Sequence, residues 1–389
     1  MRSYLENNIL TVFPQGRIDS SNASSLEDEI ENIRKDHPSA QLRLDLEDLT
    51  YISSAGLRVI LRLRKSAPAL SLINVSPEVY DIFEMTGFTE MMDIRKAFRQ
   101  MSVEGCEILG EGSNGVVYRY NDELVVKVYR DPDALDDIEA ERTLARKALI
   151  LGIPTAIPFD VVKVGESYAS VFELLNAKSF TKLIRENPDD IEHYVKLYTD
   201  LLKTIHSTEV DPKDMPDGKA VALNRAKYLR DYLDPAVYDK LIALTEGLPE
   251  RHTMIHGDYH TNNVEMQNGE VLLIDMDTLS YGHPILDLAN MYMCYVGFGE
   301  LDHGISERFL NLPYDLVSRI WGLATRLYLE TDDEESIKAM TEKAAILAYS
   351  RLMRRTLKRD SVSEFGLKQI ELCKRRLEDL VPKYDSLDF

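Results

Sequence analysis

The chain has 389 residues, enough for two or three domains with cores of their own. Its formal net charge of −20 argues against a nucleic-acid or anionic-membrane binder, which needs a basic footprint; the acidity suits solubility or a cationic small substrate. The three cysteines lie far apart with no C-x-x-C pair, and no apolar run nears the roughly 18–20 residues of a membrane span, so disulfide, thiolate-zinc and membrane-spanning classes are set aside. The start, MRSYLENNIL, lacks a basic segment followed by an apolar core, and a cytoplasmic location is expected.

Residues 1–98 alternate strand and helix patterns. After an initial strand pair, SNASSLEDEIENIRK predicts a capped helix with acids near its start. Leu42, Leu44 and Leu46 alternate with Arg43 and Asp45, the period of a half-buried strand. In YISSAGLRVIL the period changes to helical, with Leu57, Ile60 and Leu61 on one face. ALSLINV reads as a further strand, and PEVYDIFEMTGF as a helix opened by proline and broken at Gly87. Strands alternating with helices imply an α/β domain. CEILGEG follows, then two strand-like runs joined by Asn121-Asp122-Glu123, a hairpin signal. A helix is expected over about 132–150 and strands over 160–175. Most of 188–389 reads as helix, interrupted by short strands around 253–281. The segment EESIKAMTEKAAILAYSRLMRRTLKRD predicts a long helix, acidic at its start and basic at its end.

Gly110-Glu111-Gly112-Ser113-Asn114-Gly115 is a G-x-G-x-x-G followed by strand-forming Val116, Val117 and Tyr118. Glycines between two strands suit a flap whose backbone approaches phosphates, or a tight hairpin turn. Lys127 lies in LVVKVY on the face of Val125 and Tyr129, where it either snorkels outward or grips an anion. Glu139 and Glu141, on the next helix, do not share a face, so at most one of them meets Lys127. IHGDYHTNNV places His256, Asp258 and Asn263 in a polar loop, and VLLID is a strand running into Asp275, across a hairpin at Gly269. Two carboxylates and an amide form a set that phosphoryl transfer requires: one carboxylate orients the attacking hydroxyl, the other holds Mg²⁺ with the amide. His260 and His283 come without the helical H-x-x-x-H spacing or cysteine partner that zinc would want.

On these motifs, residues from about 104 to 389 resemble the aminoglycoside-phosphotransferase and choline-kinase-like branch of the protein-kinase-like fold. HGDYHTNN is similar to that branch's catalytic loop and LIDMD to its metal-binding motif. The resemblance implies Asp258 as catalytic base, Asn263 and Asp275 as Mg²⁺ ligands, Lys127 as the phosphate-gripping lysine and Glu141 as its partner. It implies ATP held by Gly110, Gly112 and Gly115, with Glu173 and Leu175 at an adenine-binding hinge, and His256 and Asp287 bracing the loop. Residues 1–98 resemble the STAS family, the anti-anti-sigma fold, through LRLDLEDLTYISSAGLRVIL. That resemblance implies a protein partner, and it places a switch phosphosite at Ser54, with Ser53 capping the helix.

The expected architecture is an α/β STAS-like domain (1–98) followed by an α+β bilobal kinase-like fold, its N-lobe at 104–175 and its largely helical C-lobe at 176–389. Asp275 is followed by Met276-Asp277 rather than Phe-Gly, and no A-P-E follows, so the platform that holds a peptide is missing. An ATP- and Mg²⁺-dependent phosphotransferase acting on a hydroxyl of a small molecule is expected. A protein serine kinase, or a nucleotide-sensing partner switch in anti-sigma-type signalling, is the alternative. Asp277 either binds the substrate or ends a turn, with the turn favoured. Arg351, Arg354, Arg355, Lys358 and Arg359 suit a solvated helix end, or else an anionic substrate or an internal acidic partner.

Overall fold

A computed structural model of the chain describes residues 1–112, 114–359 and 361–389. They divide into two compact units, Met1–Ser102 with Val161–Glu166, and Val103–Asp160 with Ser167–Phe389.

The first unit is built on a five-stranded sheet in the order Ser3–Glu6, Ile9–Val12, Gln41–Asp45, Ser71–Val75, Asp93–Lys96. The first pair is antiparallel and the other pairings are parallel. Leu42, Leu44 and Leu46 are buried as their spacing predicts. Asp45 departs from the alternation: it too is buried, because Asn74 Nδ2 (3.0 Å) and the Glu47 N–H (3.2 Å) satisfy its carboxylate. The helix Ala23–Lys35 has no acid in its first turn, contrary to expectation, and Asn22 Oδ1 accepts from the Asp19 N–H rather than capping it.

The helix Ser54–Ser66 starts where the period changes. Ser53 Oγ accepts from the N–H groups of Ala55 (3.2 Å) and Gly56 (3.5 Å), so Ser53 is the cap. Ser54 is exposed. The helix buries Val59, Ile60 and Leu63 fully, while Leu57 and Leu61 are half-buried. Gly56 is required by proximity: a Cβ there would lie 2.6 Å from Ile52 Cγ1 and 2.8 Å from Ile18 Cγ2.

In the second unit the strands Glu107–Glu111, Gly115–Arg119, Leu124–Tyr129 and Ser167–Glu173 pair antiparallel in the spatial order first, second, third, fourth. Asn121 Oδ1 accepts from the N–H groups of Glu123 and Leu124, both at 2.8 Å, which closes the expected hairpin. The helix Leu135–Ile150 follows. Beyond residue 180 the unit is mostly helical around one large apolar core that includes Tyr198, Leu202, Leu241, Leu288 and Ile346. The helix Glu334–Leu357 passes through that core, with residues from Ala344 to Ser350 all buried. Its ends have the expected polarity, Asp333 capping and Glu334 and Glu335 at the start, Arg354 and Arg355 at the end. Among the described residues, no helix is long and apolar enough to cross a membrane.

Candidate functional site

One cleft of about 430 Å³ gathers residues far apart in the chain. Gly110, Gly112, Gly115, Lys127, Glu141, Glu173, Leu175, Asn263 and Asp275 all line it. The glycines divide by environment. A Cβ at Gly110 or Gly112 would meet nothing within 4 Å, leaving backbone open to the cleft. At Gly115 it would meet the Val128 carbonyl oxygen at 2.3 Å, so Gly115 serves the strand pairing. Ser113 lies outside the described residues.

Lys127 Nζ sits 2.9 and 3.1 Å from the two oxygens of Glu141 and 3.5 Å from Asp275 Oδ1. Glu139 turns instead toward Arg142 at 3.7 Å. Glu141 is buried and also accepts from the Tyr129 hydroxyl. Burial opposes a charge on Lys127, but Glu141 and Asp275 outweigh it and hold the ammonium well above its ordinary value. Lys127 is therefore a fixed cation facing the cleft. Tyr129 carries no motif signal, although its place two residues beyond Lys127 puts it on the same strand face.

The loop after the short strand Met254–Ile255 is held by Asp287. Asp287 is fully buried and accepts from the N–H groups of His256 (2.7 Å) and Gly257 (2.6 Å) and from His206 Nε2 (3.0 Å). Burial pushes Asp287 up, yet His206 and His256 outweigh it and lower it overall. His256 Nε2 lies 3.2 Å from the Ile274 carbonyl, and its Nδ1 accepts from the Asp258 N–H at 3.2 Å, a neutral-imidazole pattern. Burial lowers its proton affinity, in keeping with that form. Gly257 has φ +80°, and a Cβ would lie 2.6 Å from the Thr278 carbonyl oxygen, so the tight bend admits only glycine. His206 comes from the helix Ile191–Ser207, and no local pattern singles it out.

Asp258 projects from this loop. Arg351 Nη2 lies 3.8 Å and His260 Nε2 3.6 Å from its oxygens. Burial pushes Asp258 up; His260 and Arg351 outweigh it and hold the carboxyl well below the usual range, ionised at neutral pH. Asn263 Nδ2 donates to the Asp258 carbonyl oxygen at 3.0 Å, which leaves Oδ1 as the end of the amide that suits a cation. The strand Glu270–Leu273 stops short of Asp275, because Asp275 adopts φ 64°, ψ 70°. This left-handed conformation costs on the order of 1–3 kcal/mol in a residue other than glycine. Asp275 and Asn263, with few protein oxygens, fit Mg²⁺, which keeps several waters and takes one or two carboxylates.

Asp277 lies in the short turn Met276–Thr278, as the favoured reading had it, but its side chain is not spent on the turn. Burial, then Asp275 and Glu141, push its carboxyl well above the usual range. Asp277 also lines a second cavity of about 230 Å³ beside the loop, with Gly257, Thr278, Ser350, Arg225 and Arg351. Arg351 donates to the Gly257 carbonyl at 2.6 Å and lies 3.8 Å from Asp258, so this member of the basic cluster meets an internal acid.

The model of the phosphotransferase enzyme family (APH) matches residues 105–316, more than half of the chain. The chain belongs to that family. The STAS domain model matches residues 3–101, so the N-terminal part of the chain is a STAS domain. This part of the phosphotransferase-family chain is 39% identical over 84 residues to BtrV, a candidate anti-sigma factor antagonist of Bordetella bronchiseptica, covering 21% of this chain and 72% of that one. It is 27% identical over 97 residues to the anti-sigma-B factor antagonist of Listeria monocytogenes, covering 24% and 84%. Among solved structures, the streptomycin–ATP–APH(2″)-IIa ternary complex is similar with a TM-score of 0.49 and 14% identity, over 70% of this chain and 92% of that one. A choline/ethanolamine kinase family protein from Mesorhizobium loti is similar with a TM-score of 0.45 and 14% identity, over 72% and 92%.

Proposed function

We propose that the second unit transfers the γ-phosphate of ATP to a hydroxyl of a small molecule, and that the STAS domain is a docking or regulatory surface. The observation that supports the reading most is the single cleft shared by the glycine turn, the Lys127–Glu141 pair, Asn263 and Asp275, with ionised Asp258 on the adjoining loop. In this reading the backbone at Gly110 and Gly112 lies over the phosphates, and Lys127, steadied by Glu141, pairs with their oxygens. The backbone from Glu173 to Leu175, where the strand Ser167–Glu173 ends, meets adenine. A Mg²⁺ held by Asn263 Oδ1 and Asp275 would neutralise charge on the phosphates as the bond to the bridging oxygen breaks. Asp258 accepts a hydrogen bond from the acceptor hydroxyl and orients its oxygen at the γ-phosphorus. As the new O–P bond forms and the bond to the ADP oxygen breaks, the hydroxyl proton passes to Asp258 and then to solvent. His256 and Asp287 position the loop without touching the reacting atoms.

On the STAS domain we place the phosphosite at Ser54. Support comes from its exposure at a helix start, where a phosphate meets N–H groups and the positive end of the helix. The transfer reading is tested by ADP release from Mg·ATP with a panel of hydroxyl compounds. Acceptor-dependent release by the full chain supports it, and none with any acceptor counts against it. Mass spectrometry of the same reactions reports on Ser54: phosphate there would favour the protein-kinase alternative.

A further inference from the structure

We propose that the phosphate acceptor is a small anion, a hydroxyl compound whose carboxylate or phosphate group is taken by Arg225 and Arg351 in the cavity beside Asp258; this rests on the phosphotransfer reading. The cavity, about 230 Å³, lies against the loop that carries Asp258, since Gly257 and Arg351 both line it and Arg351 bonds to Gly257. Two of its lining side chains are guanidiniums, and Asp277 is the one acid among the described lining residues.

The charges do not cancel within the cavity. Asp277 Oδ2 accepts from Asn114 Nδ2 of the glycine turn at 3.4 Å, so part of this carboxylate is directed toward the nucleotide cleft. Arg351 spends one nitrogen on the Gly257 carbonyl and is 3.8 Å from Asp258, which leaves part of its five-donor fork unused. Arg225 is half-buried and, among the described residues, has no carboxylate within 4 Å. Burial pushes its guanidinium down to about 9, repulsion from Arg351 and Arg354 adds to the fall, and Asp258 offsets only part of it. It stays protonated at neutral pH, a cation facing an open space with no carboxylate at ion-pair distance among the described residues. A carboxylate or phosphate supplies the planar or bidentate partner that two adjacent guanidiniums lack. A choline-like or polyamine acceptor would instead meet two guanidiniums, with Asp258 already shared with Arg351 and Asp277 with Asn114. The volume is below the usual 300–1,000 Å³ of drug-sized sites and suits an acid of a few carbons. The rest of the wall is Thr278, Ser280 and Ser350 among apolar side chains, enough to fix a hydroxyl without adding charge.

The test is titration calorimetry on the full chain saturated with Mg·ADP, so that anions do not occupy the Lys127 site. The probes are glycerate and glycerol 3-phosphate as anions, glycerol as the neutral compound, and choline and kanamycin as cations. The inference predicts that an anion binds at least about tenfold more tightly than glycerol, choline or kanamycin, that Arg225→Ala weakens it about tenfold or more, and that Arg225→Lys restores part of the loss. The carboxylate and phosphate arms distinguish which acid group the pocket prefers. Binding of choline or kanamycin as tight as that of the anions would overturn it. So would unchanged anion affinity in Arg225→Ala, or no anion binding at millimolar concentration. Turnover is read separately. A cationic acceptor phosphorylated in an Asp258-dependent way sinks the anion inference and keeps phosphotransfer, whereas Arg225-dependent anion binding with no turnover keeps the pocket chemistry and counts against phosphotransfer.

Discussion

Glu141→Ala is the sharpest perturbation of the nucleotide cleft. It removes both oxygens that hold Lys127 Nζ, at 2.9 and 3.1 Å, and the acceptor of the Tyr129 hydroxyl. Breaking a fully buried ion pair costs about 3–5 kcal/mol. Here Lys127 keeps Asp275 at 3.5 Å and an opening to the cleft, so a loss of stability of about 1–3 kcal/mol is expected, most of it from unsatisfied groups. The larger effect falls on ATP. Released from Glu141, the ammonium shifts toward Asp275, leaving the phosphate position and competing for a metal-binding oxygen. ATP affinity should fall by about tenfold or more, since each 1.4 kcal/mol of lost pairing is a factor of ten. Glu139→Ala is the control: its pair with Arg142 is a surface i,i+3 contact, and the change should stay within about 0.5 kcal/mol. Calorimetric ATP titration and urea unfolding of both variants read these numbers. Equal ATP affinity in the wild type and Glu141→Ala would refute the reasoning, as would a larger effect from Glu139→Ala.

Asp287→Ala leaves two loop N–H groups and His206 without their shared acceptor, and should cost about 3–5 kcal/mol in unfolding experiments, with Asp287→Asn less severe. Acid should weaken the second unit in two stages. His256 has a folded pKa below its unfolded value, so the unfolded chain binds more protons and stability falls as pH drops below about 6.5. Asp287, also lowered, holds its contribution above about 3.9 and loses it as pH falls through its folded value. Urea midpoints from pH 8 to pH 5 test the first stage, and His256→Gln should flatten that slope. In the STAS domain, Gly56→Ala drives a methyl against Ile52 and Ile18 and should lower stability by about 1–3 kcal/mol, whereas Ser53→Ala removes a cap worth about 1 kcal/mol. Thermal unfolding ranks the two.

The parts of the site legible in the sequence are those whose chemistry sits in one short segment. The glycine turn between strands, the lysine amid apolar neighbours and the polar loop at His256–Asn263 each show their pattern within ten residues or so. Phosphate binding and loop bracing depend on backbone and nearby side chains, which a local pattern captures. What the pattern did not carry is long-range. His206 reaches Asp287 across 81 positions, and Arg225 meets Arg351 from a helix with no marked apolar face. Nothing local distinguishes such residues from any half-exposed helical side chain. Asp277 shows the same limit from another side. Its turn is readable from the sequence, but of the charges around it only Asp275 is local; Glu141 and Lys127 come from two other segments. In the STAS domain, Asp45 looked like a solvated strand residue until Asn74 was brought beside it.

Phosphorus NMR of Mg·ATP incubated with the full chain and an acceptor panel, wild type against Asp258→Ala, tests the central claim most directly. The account predicts a new phosphate-ester resonance and matched ADP formation only with an acceptor, slowed about 10²- to 10⁴-fold by Asp258→Ala. An Asp258→Ala chain that forms the ester at the wild-type rate would contradict it, as would a wild-type chain that binds Mg·ATP and forms no ester with any acceptor.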